Sequence, residues 1–405
     1  MYRNRKSGAD DPLSRNRNVI YFVFFVFLRD LRTPQGGIEM NVFVVRWKAL
    51  AACLAVAIGG SVLLPGCTRS PMLKYSLDVP AQTMNVLDAP EIRDGRPRFR
   101  EIFCSVLKEH PDRKRRECDE LLHRLADEAR RPGQPGAPST HDARMHVIFV
   151  PGMFNDCASF VALPFETAVP RLRSLGYEAE ILPVSGRSSS ALNASRIAEF
   201  VTRLPASDQR LVLIGHSKGA VDILEFMGGY PELAPRIDAV VSVAGAINGS
   251  PLADTASGLY HGSVRDASLP GCEPGDGGAL TSLQPSQRLN WLAAHRLPQS
   301  ARYFSLVAFT RTDAMSIPLR PFAAALAEID PRNDGQLLFY DQVIPGATLL
   351  GYANADHWAV AVPIEEKRPL LATFVTGHNW YPREVLVEAI VLYTAEQLAL
   401  ERAPR

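Results

Sequence analysis

Along the second two-thirds of the 405-residue chain, short apolar runs alternate with longer amphipathic stretches. His146–Val150, Ala179–Val184, Leu211–Ile214, Ala239–Ala244, Tyr303–Ala308 and Thr348–Tyr352 are too short for helices and mostly apolar. They predict strands buried on both faces. Between them, four stretches carry apolar residues at helical spacing: Phe160–Leu175, ended by Gly176; Asn193 to about Leu204, capped by Asn193; Lys218–Met227, stopped by Gly228-Gly229; and Arg383–Glu401. Alternation of this kind over about 260 residues predicts an α/β domain across residues 141–405, a mostly parallel sheet flanked by helices.

The pattern changes upstream. Ile102, Phe103, Val106 and Leu107, then Leu121, Leu122 and Leu125, fall at helical spacings and predict a helical hairpin. With the Pro/Gly-rich linker Arg131–Thr140 it makes a unit over residues 98–140. Residues 67–97 are turn-rich and read as a tether. Residues 1–39 do not read as a domain, since Val19–Leu28 is apolar but too short to cross a bilayer. Met40 opens a better pattern: Arg46 and Lys48, the apolar stretch Ala49–Leu64, then Pro65-Gly66-Cys67. Charge, apolar stretch and small-residue cut site make residues 40–66 a secretory signal. The cysteine after the small residue resembles the lipobox of bacterial lipoproteins. That resemblance implies that Cys67 is the lipidated first residue of the mature protein. It also implies an exported protein, anchored to a bacterial membrane and facing the periplasm or cell exterior, with residues 1–39 an over-extended start.

Composition narrows the function. The chain is 46% hydrophobic and 21% charged, an ordinary globular balance. Its 44 basic and 43 acidic side chains create no broad positive field, so no nucleic-acid partner is expected. The prolines are scattered, which excludes a long coiled coil or collagen, and no solenoid or propeller period is present. In an exported chain Cys53 is lost with the signal and Cys67 carries lipid. Cys104, Cys118, Cys157 and Cys272 remain, an even number with three possible pairings. Cys104 and Cys118 flank the turn His110-Pro111-Asp112, and their closeness favours Cys104–Cys118, leaving Cys157–Cys272.

The candidate chemistry centres on Gly215-His216-Ser217-Lys218-Gly219. The pentapeptide G-x-S-x-G is weak alone, but this one leaves a buried strand and opens a helix, the setting the motif requires. Ser217 is then a nucleophile, with the helix N-terminus favouring negative charge at the reacting centre. The side chain of Lys218 reads as a solvated helix residue, and His216 as packed behind the turn. A serine needs a base, and chain order places an acid and then a histidine downstream. Of His261, His295, His357 and His378, His357 follows the Thr348–Tyr352 strand by a short loop and fits best. Asp334, in Asn333-Asp334-Gly335, is the favoured acid; Asp313 is the alternative. Asp356 reads as structural. The oxyanion donors would be the backbone N–H groups of Lys218 and of Met153, which follows Pro151-Gly152 after the first core strand.

The segments Val147–Phe154, Leu211–Ala220, Asn333–Gly335 and Ala355–Trp358 resemble the α/β-hydrolase superfamily, and are most similar to its bacterial lipase and esterase branches. The resemblance covers about residues 145–402. Two departures stand out: Pro151-Gly152 where those lipases often carry His-Gly, and the lysine at 218. The resemblance implies a serine hydrolase cleaving carboxylic esters, small or lipid-like. Acyl transfer by the same triad and a non-catalytic lipoprotein scaffold are the alternatives. Ala220 stands where a Ser-x-x-Lys enzyme needs lysine. His-Glu-x-x-His, Cys-x-x-Cys and phosphate-loop motifs are missing, so neither cofactor nor metal is expected. The chain reads as a monomer. The Pro- and Gly-rich segment of about residues 247–300 exceeds what a strand–helix–strand crossover needs, and reads as a cap over the site.

Overall fold

The computed structural model describes residues 92–110, 116–125, 128, 144–157, 161–259, 273, 275–375 and 380–400. The signal, Cys67, the tether up to residue 91, the linker 131–140, His261, Cys272 and His378 lie outside them.

Eight strands are present among the described residues: β1 Arg93–Asp94, β2 Leu122–His123, β3 Met145–Val150, β4 Glu178–Ile181, β5 Arg210–His216, β6 Ala239–Val243, β7 Arg302–Ala308 and β8 Thr348–Ala353. They form one sheet in the order β1-β8-β7-β6-β5-β3-β4. Every pair along that path is parallel; β2 alone pairs with β8 antiparallel. The helices are α1 Arg96–Glu109, α2 Cys118–Leu121, α3 Ala168–Ser174, α4 Ser190–Arg203, α5 Lys218–Gly229, α6 Pro251–Leu259, α7 Pro285–Ala294, α8 Arg320–Ala327, α9 Ile364–Lys367, α10 Pro369–Val375 and α11 Arg383–Leu400. This is the α/β-hydrolase architecture.

The alternation of strand side chains divides the core into two layers. Met145, Val147 and Phe149 of β3, with Val212 and Ile214 of β5, pack against α1, α3 and α11. Their neighbours Ile148 and Val150, with Leu211 and Leu213, pack against α4 and α5. Burial on both faces explains why these strands read as apolar runs rather than alternating patterns. Helix α11 is buried along almost its whole length, as expected of a helix that is apolar nearly all round. Among the described residues, no helix is long and apolar enough to cross a membrane.

Some boundaries differ from the sequence expectations, for identifiable reasons. Pro164 cannot donate within a helix, and helix α3 begins only at Ala168, after a run of turns. Helix α4 starts earlier than expected: the Ser189 hydroxyl accepts from Leu192 N at 3.2 Å and serves as the cap, while Asn193 sits inside the first turns. In the upstream segment the second helix is one turn, α2, before the chain becomes β2 along the open edge of β8.

That upstream segment shares the main core: Phe99, Ile102, Phe103 and Val106 of α1 pack with the sheet and α11. The disulfide Cys104–Cys118 joins α1 to α2 across a sequence separation of 14, a crosslink worth about 3 kcal/mol by chain-entropy arguments. Buried Arg100 completes the joint. It binds Glu128 through Nε at 2.6 Å and Nη2 at 2.8 Å, and donates to the carbonyls of Leu122 and His123.

His123 stacks on Phe309 at 4.3 Å and bonds its carbonyl at 3.0 Å. Burial, aided by the Arg100 guanidinium, pushes its pKa from 6.5 down to about 4, although the Phe309 bond opposes this. The unfolded chain takes up this proton near pH 6.5 and the folded one only near pH 4. Stability should therefore fall as pH drops through that window, by about 3 kcal/mol for this group. Acid unfolding followed by circular dichroism should show a shallower decline in His123→Phe, which keeps the stack and removes the titration.

Candidate active site

In a parallel sheet the loops leaving the strands' C-terminal ends gather on one side, where ligands bind in such folds. Four of them meet here: residues 151–157 after β3, Ser217 after β5, the stretch from residue 309 to 342 after β7, and residues 354–358 after β8.

Ser217 stands between β5 and α5 with φ 56° and ψ −126°, a conformation that non-glycine residues resist. The turn closes because Gly219 has no side chain: a Cβ there would collide with the carbonyl of Val150. Among the described residues, three other non-glycine positions have positive φ, namely Phe154, Phe165 and Ala244. Phe154 lies in the loop beside Ser217, Ala244 directly follows β6, the strand next to β5, and Phe165 packs on His216 at 6.2 Å. Strain of this kind concentrates where surrounding structure can hold it, typically at functional sites.

The structure brings Ser217, His357 and Asp334 into one hydrogen-bond chain. His357 Nε2 lies 2.8 Å from Ser217 Oγ, and Nδ1 lies 2.7 Å from Asp334 Oδ2. With Nδ1–H donating to the carboxylate, Nε2 is the acceptor for the serine proton. Asp334 is fully buried, and its other oxygen accepts from Gln336 N at 2.8 Å and Leu337 N at 2.7 Å. The loop also holds the histidine backbone, His357 N donating to Asp334 O at 2.9 Å. Asp313 is exposed and paired with Arg311, away from this chain. Asp356 is buried, and it accepts from Ser316 N, Trp358 N and Ala359 N. His295 stacks on Trp291.

Gly152 lies against Ser217: a Cβ on it would come within 2.8 Å of the serine Cβ. This sets the next peptide, that of Met153, beside the serine. Met153 and Phe154 pack on an apolar cluster of Val221, Ala246, Ala253, Leu280, Leu283 and Leu337.

His216 is buried behind the turn, as expected, and its Nε2–H donates to the His357 carbonyl at 2.9 Å; burial and the nearby His357 hold its pKa well below the usual value. Gln342 was missed by sequence reasoning: it bonds both backbone groups of Ala308 and reaches Asp334 Oδ2 at 3.4 Å. The expectation for Lys218 is corrected: its side chain is 1% exposed and ion-paired with Asp222 at 2.6 Å. Only the position of 218 next to Ser217 hinted at burial. Cys157 is disulfide-bonded, and the residue before it binds the segment that follows Cys272, Glu273 N donating to Asp156 Oδ2 at 3.0 Å.

A scan against protein-family models and a search of curated proteins each return no match. Among solved structures, the chain is similar to the metagenomic carboxyl esterase MGS0156. The two are 42% identical, the match covers 86% of this chain and 99% of that one, and the TM-score is 0.72. The chain belongs to the α/β-hydrolase family. Similarity to Bacillus licheniformis lipase BlEst2 in its mature form is lower, at 19% identity over 54% of this hydrolase and 86% of that chain, with a TM-score of 0.45.

The hydrolase turn at Ser217 has a sharp test. Gly219→Ala should cost about 3 kcal/mol or prevent folding, because the colliding partner is backbone. Gly229→Ala, at a position with open space around it, should leave the thermal midpoint within a few degrees. Thermal melts of the two variants make the comparison.

Proposed function

We propose that this hydrolase cleaves carboxylic esters through an acyl-enzyme on Ser217. The observation that carries the reading is the continuous bond chain from Ser217 Oγ through His357 to Asp334 at the sheet's C-terminal edge. Likeness to a protein described as a carboxyl esterase supports it. Ser217 Oγ attacks the ester carbonyl as His357 Nε2 takes its proton; the imidazolium then protonates the leaving alkoxide. Asp334 stays ionised and holds the tautomer. The N–H groups of Met153 and Lys218 receive the developing oxyanion. Water, activated by His357, attacks the acyl-enzyme and releases the acid. The apolar cluster beneath Met153 and Phe154 suits the acyl portion. Segment 247–300 caps the site on this reading. The bond between Asp156 and Glu273 supports a Cys157–Cys272 disulfide that ties the cap to the oxyanion loop.

The chain also works at a membrane surface through a lipid on Cys67, a reading supported by the charge, apolar stretch and small residues ahead of that cysteine.

A fluorophosphonate probe should label the wild type and not Ser217→Ala. Asp334→Asn should lower kcat by about 10³–10⁴-fold with folding kept, because the histidine loses its orienting carboxylate; Asp313→Asn should change it less than about twofold. Labelling of Ser217→Ala, or the reverse ranking of the aspartates, would overturn the assignment. Cys67→Ser should abolish incorporation of radiolabelled palmitate in the bacterial host; undiminished incorporation would remove the anchor.

A further inference from the structure

Two buried features near Ser217 are unexplained by the chemistry above: a full ion pair one residue from the serine, and an asparagine in the loop bearing Met153. They are parts of one network. Lys218 Nζ binds Asp222 Oδ1 at 2.6 Å, and both side chains are 1% exposed. Asp222 Oδ2 accepts from Asn193 Nδ2 at 2.7 Å. The Asn193 amide bonds both backbone groups of Ser185, accepting from N at 3.2 Å and donating to O at 3.0 Å. The adjoining Val184 carbonyl accepts from Asn155 Nδ2 at 3.3 Å, and the same Nδ2 donates to Gly152 O at 2.9 Å. On the other side of Ser185, Gly186 O accepts from Phe154 N at 3.0 Å. Asn155, Asn193, Lys218, Asp222 and Ser185 are each more than nine-tenths buried.

The network meets at residues 184–186, the loop that follows β4. From that loop one arm runs through Asn193 and Asp222 to Lys218. The other runs through Asn155 to the Gly152–Met153 peptide. That peptide is planar and trans, so a Gly152 carbonyl held by Asn155 forces the Met153 N–H to point the opposite way. Gly152 itself abuts Ser217. A buried ion pair is a poor device for stability alone, because desolvation offsets most of the attraction. Burial pushes the Asp222 carboxyl pKa up, and the Lys218 ammonium opposes that shift.

We infer that Asn155, Asn193 and the Lys218–Asp222 pair are positioning residues that set the two oxyanion N–H donors relative to each other, using the 184–186 loop as a common anchor. The inference rests on the proposed acyl-enzyme chemistry at Ser217, with the Met153 and Lys218 N–H groups as the oxyanion donors. It predicts that the two arms act as one unit, and that charge at 218 matters for geometry rather than for chemistry.

The test compares Asn155→Ala, the double variant Lys218→Met with Asp222→Leu, and the triple combination. The double variant keeps the Lys218 backbone N–H, and a well-packed apolar pair commonly preserves stability at such sites. Expected for both Asn155→Ala and the double variant is a thermal midpoint within a few degrees of wild type. Each should lower kcat for a p-nitrophenyl ester by about 10–100-fold, leave KM within about twofold, and slow fluorophosphonate labelling in parallel. The triple variant should be no more than about threefold slower than the worse of the two, since each lesion releases the same anchor. Asn155→Ser, which retains a short donor, should recover part of the rate.

Wild-type kcat in a folded double variant would overturn the inference, as would losses that multiply in the triple variant or appear in KM alone. If the double variant melts early, Asn155→Ala and Asn155→Ser decide the matter by the same readouts. Failure of the underlying reading is separate: it appears as labelling that survives Ser217→Ala, whatever these variants do.

Discussion

The backbone at Ser217 is the constraint on which the rest of the site depends. A serine at φ 56° is held there by its surroundings and not by its own preference. On one side β5 is locked between β3 and β6, so the strand cannot unwind to relieve the turn. On the other, α5 begins immediately and is buried along the face that meets α4. Gly219 lets the first turn of α5 close on β3. Once that turn is set, the serine hydroxyl projects beyond the sheet edge, where the loops after β3, β7 and β8 converge. The geometry of the candidate site then follows from strand order, since β7 and β8 lie on one flank of β5 and β6, and β3 on the other.

Two aspartates show how the same local device yields different roles. Asp334 Oδ1 accepts from the N–H groups two and three residues on, Gln336 and Leu337. Asp356 Oδ1 does the same with Trp358 and Ala359. Each carboxylate thereby fixes its own loop, as short polar side chains do at turns. The remaining oxygen differs. In Asp356 it meets the backbone N–H of Ser316 and stitches two loops. In Asp334 it meets an imidazole that also faces the serine. A side chain that first builds its own loop has few rotamers left, which together with Gln342 keeps the acceptor for His357 in place.

Much of the frame was readable from residue pattern. Strands such as Leu211–Ile214 are buried on both faces, so their composition announces them without a partner being known. The elbow was readable because motif, strand and helix are contiguous. Asp334 over Asp313 was preferred only on chain order, and the structure separates them by burial: one is enclosed, the other exposed beside Arg311. What escaped was polar burial. Lys218, Asn193, Asn155 and Gln342 are residues that usually face water; Lys218 pairs with Asp222 one helical turn on, and the other three bond partners about thirty residues away. Nothing at short range distinguishes such an asparagine from a helix cap. The two-residue strands β1 and β2 escaped for a related reason: their pairing is dictated by the free edge of β8 and not by their own composition.

The joint between the beginning and end of the described body bears on how the chain is made. Arg98 of α1 grips Glu396 of α11 through Nε and Nη2, at 2.9 and 2.6 Å, across 298 positions, and Phe99 packs edge-on against Tyr393. A ribosome releases α1 well before α11, so the first helix must wait for almost three hundred further residues before its apolar face is covered. Contacts of such long sequence separation form slowly. A nascent or C-terminally truncated chain therefore exposes Phe99, Phe103 and the outer edge of β8 together, which is the combination that invites association with other unfinished chains. In this molecule, covering those surfaces during synthesis depends on the last eighteen described positions as well as on the sheet that precedes them.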